Sequence, residues 1–419
     1  MTVVSARLSF PAWFEAQSPR IVQALCDYIA IDTTSPHERA ADAFLRSYLG
    51  PLGFTFAEFP LPRDFFDHAE RCPPPVSRLS EGATILRAHR AGRPGGRHLM
   101  VNAHVDVVPL QDAFAHGFQP RVAHNHITGR GAVDTKGNLV MFAEALRFLL
   151  EQGRPPRHAI TLDLVPEEEI GGNGALASTL YGSSAECALV LEPTGGEVFI
   201  GHRGCVSFRA TFNGHARHMG DDGGARQTVI DAAAAAVQAL RTLETDMNAD
   251  KATTPAFAGW QRALQINVGE IKGGEWYGSI PARCVVAGNC GFLPGHGLTA
   301  TQQRLEALFQ RCAAENGGAS VTVDWPALRN EAGISDIHSP FVQAALKAAG
   351  RRDARAWNVS CDARHYIRRL GLPTVIFGCG DLAQAHAVDE TLDLNDLAAG
   401  VAVITRLLDG ALGGEELAS

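Results

Sequence analysis

The chain has 419 residues, more than a single hydrophobic core usually covers, so we expect two domains. Hydrophobic residues make up 46% and charged residues 20%, the balance of an ordinary globular protein. The net charge of −8 argues against nucleic acid or an anionic membrane as the main partner.

The amino terminus and the cysteines indicate the compartment. The first residues lack a basic segment followed by an apolar one, and no apolar run is long enough to span a bilayer. The nine cysteines are scattered, and no two form a C-x-x-C pair. This pattern predicts reduced, mostly buried thiols in a cytoplasmic protein.

Strands alternate with helices in the first half of the chain. The predicted elements are helices at about Trp13–Ile31 and at Glu38–Leu49, strands near Phe54–Phe59, Thr84–His89 and His98–Val108, a helix ended by Gly153, and strands at Ala159–Val165 and Ala188–Leu191. The segment Pro62–Gly82 is a loop or insertion without an assigned place. Unusual polar residues follow the strands directly, which predicts an open α/β sheet with its site in the crevice at the strand ends.

The order of predicted strands and helices changes near Gly201. Between His202 and about Val323 the pattern predicts a strand, a helix, strands at Leu264–Ile271 and Cys284–Phe292, a helix at Leu305–Ala314 and a strand at Ser320–Val323. This set suits a small α/β sandwich inserted into a larger domain, to which a strand at Leu372–Gly378 and a helix at Leu394–Leu408 return. The expected bounds are 1–201 and 329–419 for the larger domain and 202–328 for the insertion.

Two polar residues stand in the strand predicted before Pro109. The spacing of His104 and Asp106 puts both side chains on one face of a strand. A histidine steered by a carboxylate is the usual arrangement of a metal ligand and its supporting partner. Taken alone, the pair is better explained as a core histidine beside a charge.

Further acidic residues at strand ends change that interpretation. The full set is His104, Asp106, Asp134, Glu168, Glu169, Glu192 and His386. So many like charges in a buried crevice require cations to neutralise them. Histidines with carboxylates and without cysteine are the ligands expected for zinc, manganese or cobalt, and two metals could share one bridging carboxylate.

Five motifs also carry a family resemblance. They are, in order, HVDVVP, GRGAVDTKG, PEEEIGG, LEPTG and AHAVDE. Together they resemble the di-zinc amidohydrolase and peptidase family of acetylornithine deacetylase, succinyl-diaminopimelate desuccinylase, aminoacylase and glutamate carboxypeptidase, from about Ile21 to Leu408. The resemblance implies a metallopeptidase-type catalytic domain with a mixed, mostly parallel sheet between helices, and an inserted α/β sandwich that serves as lid and dimerisation domain. It also implies a homodimer and two divalent metal ions, zinc first, with cobalt or manganese as alternatives.

The resemblance assigns the metal ligands residue by residue. It implies one metal site formed by His104, Asp134 and Glu192. It implies a second site formed by Glu169 and His386, with Asp134 bridging both metals.

The remaining roles have alternatives. The resemblance makes Glu168 the general base and makes Asp106 the residue that orients His104. The acidic triplet could instead be a solvated turn, but its place between a buried strand and a Gly-Gly pair disfavours that explanation. Glu167 has no role in this scheme and is expected to be solvated. His386 could be a helix-terminal or core histidine.

A histidine of the inserted segment is the third catalytic candidate. GHARHMG resembles the family turn that carries a histidine, and the match points to His218 rather than His215. In the family this residue reaches the partner subunit's site and helps to stabilise the oxyanion. The alternative is a loop histidine without function, since Met219–Gly220 departs from the usual small hydroxyl residues.

Two departures leave the substrate open. Gly278 and Gly291 stand where the family often has asparagine and arginine for substrate binding. Arg364 and Gly378 are the assigned substrate contacts. The planar guanidinium of Arg364 suits bidentate binding of a carboxylate. A structural salt bridge is the alternative for Arg364.

The sequence therefore predicts a metal-dependent amidohydrolase that cleaves the amide of N-acyl amino acids or similar small amides. The first alternative is a di-zinc exopeptidase acting on dipeptides, which would use the same metals. A non-catalytic binding protein on this fold is disfavoured because every expected metal and base position is filled. Cys361 and Cys379 lie near the presumed site without a base motif and are expected to be inert.

Overall fold

The computed structural model describes residues 8–221 and 227–412. The α-helices in these residues are α1 (Phe10–Ile29), α2 (Asp42–Leu49), α3 (Lys136–Glu151), α4 (Asn173–Leu180), α5 (Val229–Ala249), α6 (Leu298–Glu315), α7 (Pro340–Ala349) and α8 (Leu394–Asp409). None of the helices in the described ranges is both long and apolar enough to cross a membrane.

The strands in the same residues build two large sheets and two small ones. They are β1 (Thr55–Pro60), β2 (Thr84–Arg90), β3 (His98–His104), β4 (Arg121–Ala123), β5 (His126–Thr128), β6 (Ala159–Val165), β7 (Cys187–Leu191), β8 (Phe199–His202), β9 (Gly204–Asn213), β10 (Arg217–His218), β11 (Ile266–Gly273), β12 (Ser279–Ile280), β13 (Arg283–Phe292), β14 (Ser320–Asp324), β15 (Arg329–Asn330), β16 (Gly333–Ile334), β17 (Arg355–Trp357), β18 (Thr374–Phe377) and β19 (Thr391–Asp393).

The larger sheet has nine strands in the order β1-β2-β6-β3-β7-β18-β8-β16, with β17 also paired to β8. Its centre, β6-β3-β7-β18, is parallel. The outer pairs β1–β2 and β16–β8 are antiparallel. The predicted mixed, mostly parallel sheet between helices is confirmed. Parallel neighbours place their carboxyl ends at one edge, which is where such sheets bind ligands.

Helices cover both faces of this sheet. On one face α1, α3, α7 and α8 pack over apolar side chains such as Leu99, Val101 and Val375. On the other face α4 and the residues around Tyr366 cover side chains such as Met100 and Ile376. Because both faces are covered, the central strands are apolar on both sides, as the sequence predicted.

The second large sheet has a single covered face. It is antiparallel in the order β11-β13-β9-β14, with β15 also paired to β9. Helices α5 and α6 pack on it through a separate apolar core that includes Phe208, Phe309 and Leu240. These elements lie where the sequence places the inserted sandwich; its exact bounds, 202–328, stay a prediction.

Several local predictions need correction. The strand predicted to reach Val108 ends at His104, so Asp106 lies in the loop after β3. Helices α4 and α7 were not predicted. The segment Pro62–Gly82 has a place after all, because Cys72 and Asn173 exchange hydrogen bonds that join it to the start of α4.

Candidate metal centre

The candidate ligands follow the carboxyl ends of neighbouring parallel strands. His104 is the last residue of β3, and Glu192 follows β7 directly. Glu168 and Glu169 lie in the turn after β6, which pairs with β3. Asp134 precedes α3, and the loop between β18 and β19 supplies His386. The sheet edge thus brings together residues that are far apart in sequence.

Asp134 lies between the two histidines. Its Oδ1 is 3.0 Å from Nε2 of His104, and its Oδ2 is 3.3 Å from Nε2 of His386. The same Nε2 of His386 is 3.0 Å from Oε2 of Glu169. One carboxylate therefore faces two imidazoles, one through each of its oxygens.

Two groups of potential ligands meet around His104. Ligand atoms of His104, Asp134 and Glu169 all lie within 4.8 Å of one another, as do those of His104, Glu168 and Glu192. Within the described residues, Oε1 of Glu192 is buried and accepts no hydrogen bond. A buried carboxylate oxygen without a donor is costly unless a cation supplies the missing interaction.

The carboxylates repel one another. Burial, followed by the charge of Asp134, raises the pKa of Glu169 to about 7. Burial, followed by the charges of neighbouring carboxylates, also raises the pKa values of Glu168 and Glu192 well above their usual range. The site holds more negative charge than its own histidines neutralise.

The histidines respond in the opposite direction. Hydrogen bonds to Asp134 and Glu169 raise the pKa of His386 to about 10. Burial acts to lower the pKa of His104, but hydrogen bonds to Asp106 and Asp134 outweigh it and raise that pKa. Two imidazoles among several buried carboxylates form a donor set whose chemistry fits a divalent cation.

Asp106 contacts both the histidine and the glutamate turn. Its backbone carbonyl lies 2.9 Å from Nδ1 of His104, whereas its carboxylate Oδ1 lies 3.6 Å from that nitrogen. The carboxylate accepts hydrogen bonds from the backbone N–H groups of Glu168 and Glu169, each at 3.1 Å. Asp106 therefore fixes the turn of the two glutamates as well as the imidazole.

Glu167 is not solvated, so the prediction for it was wrong. It is fully buried, and its carboxylate accepts hydrogen bonds from Ser77 Oγ (2.7 Å), Asn173 Nδ2 (2.9 Å) and two backbone N–H groups, those of Arg78 and Leu79. It ties the segment Pro62–Gly82 to the turn before Glu168. The acidic triplet gave no signal for this, since the donors come from a segment about 90 residues away.

Glu390 is a second carboxylate whose role the sequence did not reveal. It is buried, pairs with Nη1 of Arg130 at 2.8 Å, and accepts hydrogen bonds from the backbone N–H groups of Gly131, Val133 and Asp134. It thus holds the backbone of Asp134. The E of AHAVDE was visible in the motif, but its partners lie about 260 residues earlier.

Two site residues have strained backbones. Glu167 and His386 have φ values of 60° and 62°, a region that residues other than glycine seldom adopt. Such conformations persist where surrounding contacts hold them and are concentrated at functional sites.

The other predicted residues have different surroundings. His218 is exposed in the short β10, where its Nδ1 accepts a hydrogen bond from the N–H of Gly220. Arg364 is buried and donates to the carbonyls of Cys361 and Gly171, which favours the structural explanation for it. At Gly378, a Cβ would lie 2.3 Å from the carbonyl oxygen of Glu192. Its tight packing accounts for glycine there.

The cysteines near the site are buried. All nine cysteines of the chain are free thiols. Burial raises the pKa of Cys379 to about 12 and that of Cys361 well above its usual range. Both remain protonated at neutral pH, in agreement with the inert thiols that the sequence predicts.

Known proteins resemble this chain in sequence and in fold. The family model of peptidase family M20/M25/M40 matches residues 100–410. A succinyl-diaminopimelate desuccinylase of Rhodospirillum centenum is 27% identical over 415 residues, which cover 93% of this chain and 97% of that protein. Human carnosine dipeptidase 1 has a similar fold, with a TM-score of 0.74, 14% identity and coverage of 96% of this chain and 98% of that one. A Bacillus subtilis protein described as a dinuclear metal-binding peptidase of the M20 family has a TM-score of 0.66, 16% identity and coverage of 94% and 98%.

The fold and the family match define the class of protein: the chain is an amidohydrolase. It belongs to peptidase family M20/M25/M40. The family resemblance of the five motifs is confirmed.

Proposed function

We propose that this amidohydrolase removes the acyl group from N-acyl amino acids or similar small N-acyl amides, as a deacylase of the acetylornithine deacetylase type. The observation that carries the proposal is the position of Asp134 between His104 and His386, with Glu169 and Glu192 beside them. The full-length similarity to a desuccinylase supports a small acyl substrate.

Two divalent cations, zinc first, would be held by this set. His104 and Glu192 would hold one cation, Glu169 and His386 the other, and Asp134 both. When bound, such cations lower the pKa of water and polarise an amide carbonyl. The description of the Bacillus subtilis relative as a dinuclear metal-binding peptidase supports the number of metals.

Glu168 would move the proton. Its backbone is fixed by Asp106, and its side chain lies beside His104 and Glu192 without a hydrogen bond to either. In this role its carboxylate takes a proton from the attacking water and then gives it to the nitrogen of the breaking amide bond, so that the amine leaves neutral. Asp106 would hold His104 and this turn in their relative positions.

The partner subunit would complete the site. We propose a homodimer in which His218 stabilises the oxyanion in the partner's site. Exposed apolar residues near β10 and β12 support a contact surface there: Tyr277 is 89% exposed, Met219 68% and Trp276 60%. Surfaces of this kind usually mark interaction sites. Residues 202–328 would act as lid and dimerisation domain.

Substrate contacts and the compartment complete the proposal. Arg364 would anchor a substrate carboxylate through Nε, which is buried without a hydrogen-bond partner in the described residues and lies 3.9 Å from Glu70. Gly378 is packed against the carbonyl of Glu192 and leaves no space for a side chain, so it would contribute only its backbone to a substrate contact. Nine free cysteines support the cytoplasm as the compartment.

A substrate profile tests the proposal. The purified protein, reconstituted in turn with zinc, manganese and cobalt, is assayed by amine release on acetyl-, succinyl-, formyl- and longer acyl-amino acids and on a matched set of dipeptides. We expect the highest kcat/KM on an acyl-amino acid. A dipeptide preference would support the second candidate, an exopeptidase, which the similarity to the carnosine dipeptidase fold favours. No hydrolysis by any metal form, with metal bound, would leave a binding protein as the explanation.

A further inference from the structure

A second cavity lies behind the metal centre. It encloses about 140 Å³ between the 3₁₀ turn Glu38–Ala41, strand β2 and the turn after β6. None of the candidate metal ligands lines it. Its walls include the apolar side chains of Leu45, Leu86, Val105 and Leu164. Apolar walls with a few polar groups are the usual form of a small-molecule site.

One carboxylate oxygen of this cavity lacks a partner. The Glu38 side chain lines the cavity and is only 8% exposed, and its Oε1 is buried without a hydrogen bond within the described part of the chain. The hydroxyl of Ser35 lies beside the same carboxylate and acts to lower its pKa. Buried polar atoms in folded proteins are nearly always paired, so an unpaired carboxylate oxygen at a cavity indicates a missing ligand group.

The surroundings of Glu38 select a cation. Burial and the charges of Asp106 and Glu167 outweigh hydrogen bonds from the Glu38 backbone and from Ser35, and they raise the pKa of Glu38 to about 7. The Arg39 guanidinium does not compensate Glu38, because it binds Glu58 at 2.8 Å. A positively charged donor is therefore the partner that the ionised carboxylate lacks.

Arg78 offers the competing explanation. Its side chain lines the same cavity and is exposed. No hydrogen bond or ion pair of its guanidinium appears among the residues described; only its backbone N–H is bound, by Glu167. If Arg78 folded inward it could pair with Glu38, and the cavity would then attract no cation.

We propose that this cavity is a second binding site, which takes a primary alkylammonium ion with its charged head on Glu38 and its apolar chain against Leu45 and Leu86. The site is distinct from the metal centre. Pro166 and Glu167, which line the cavity, precede Glu168, so a bound amine would contact the turn that carries the proposed base.

Calorimetry on the metal-loaded protein tests the site with three probes of one chain length: n-hexylammonium, n-hexanol and hexanoate. We expect hexylammonium to bind at least about tenfold more tightly than hexanol, since a hydrogen bond to a charged group is worth about a factor of ten or more. Hexanoate should not bind. Equal binding of the alcohol, or tighter binding of hexanoate, would overturn the proposal.

Variants separate the cavity from the metals. Glu38→Gln should weaken hexylammonium binding at least about tenfold, whereas Arg78→Gln should leave it unchanged or strengthen it. Ala83→Trp, which fills the cavity from its half-exposed rim with Glu38 intact, should block it. Glu270→Gln, on the distant β11, is the matched control and should bind as wild type. Unchanged affinity for hexylammonium in both Glu38→Gln and Ala83→Trp would place the amine at the metals. Loss of hexylammonium binding in Arg78→Gln would mean that the site does not recognise a cation. Either result refutes the proposal.

Discussion

The two large sheets differ in how many faces are covered, and their chemistry differs accordingly. Helices cover both faces of the nine-stranded sheet, and the candidate ligands crowd together at its strand ends. The five-stranded sheet has helices on one face, and strands such as β14 alternate exposed and half-buried residues. A sheet buried on both faces concentrates charge at one edge, and a sheet covered on one face keeps surface for contacts.

The carboxylates of the larger sheet fall into two kinds. Glu167 and Glu390 have their acceptor positions filled by several protein donors. Within the described residues no protein donor binds the side chain of Glu192, which is buried, or that of Glu168, which is half-buried. Carboxylates with full sets of donors hold the backbone, and carboxylates without them are available for metal and substrate. The following predictions test this division and the contrast between the sheets.

Replacing the shared carboxylate should have the largest effect. Asp134→Ala removes the group that faces both histidines, so we expect loss of both metal ions and of all detectable hydrolysis. Elemental analysis of the purified variant measures the metal content. Asp389→Ala, an exposed carboxylate in the loop of His386, is the matched control and should keep both metals. A full metal complement in Asp134→Ala would refute the bridging role.

The two neighbouring glutamates should differ. Glu168→Gln is expected to keep its metals and lose about two to four orders of magnitude in kcat, the typical contribution of a general base. Glu169→Gln should weaken one metal site first. Turnover and metal titration on both variants distinguish the roles. Near wild-type turnover in Glu168→Gln, or equal metal loss in the two, would show that the assignment is wrong.

The contribution of the second sheet can be tested in a mixed dimer. His218→Ala should lose about 3 kcal/mol of transition-state stabilisation, the value of one oxyanion donor. Mixed with Glu168→Gln chains after reversible dissociation, it should regain activity, because one site of the hybrid then holds both intact residues. A mixture that stays inactive, or a fully active monomer, would restrict the chemistry to the larger sheet.

Replacing a structural carboxylate should affect stability first. In Glu167→Gln one acceptor oxygen becomes an NH₂ group, and donors face both positions, so the free energy of unfolding should fall by about 1–3 kcal/mol. Denaturant unfolding of the metal-loaded protein measures it. Glu81 is exposed in the segment Pro62–Gly82, and Glu81→Gln should unfold as wild type. Unchanged stability of Glu167→Gln would mean that its hydrogen bonds do not hold the segment.

The smallest effect is expected where the chain passes from one sheet to the other. His202, at the end of β8, is buried, and burial lowers its pKa from 6.5 to about 3. Its neutral ring stabilises the fold above pH 6.5, and this contribution is lost as the pH falls toward 3, because the unfolded chain then binds the proton. From pH 7 to pH 5 we expect a loss of about 2 kcal/mol. The unfolding free energies of His202→Gln should lack this part of the pH dependence; parallel curves would contradict it.

Much of the fold and site could be predicted from sequence. The buried strand at Ala159–Val165 was predicted with the bounds that the structure has, because a run apolar on both faces suits few other environments. His104, Glu168, Glu169 and Glu192 were picked out because they follow such runs, whereas Asp134 and His386 depended on the motifs that resemble the family. The edge itself follows from parallel pairing. Helix α4 was missed because it is short and has no clear polar face.

The tertiary structure decided which partners each polar residue at a strand end contacts. The sequence shows three consecutive glutamates at 167–169, but only the folded chain separates Glu167, bound by donors from the segment Pro62–Gly82, from the pair that joins the candidate ligands. The same holds for Glu390. Local sequence determines the period, the burial and the strand ends, because these depend on neighbours along the chain. The partner of a buried charge depends on residues about 90 to 260 positions away, and only the packed structure brings them within hydrogen-bonding distance.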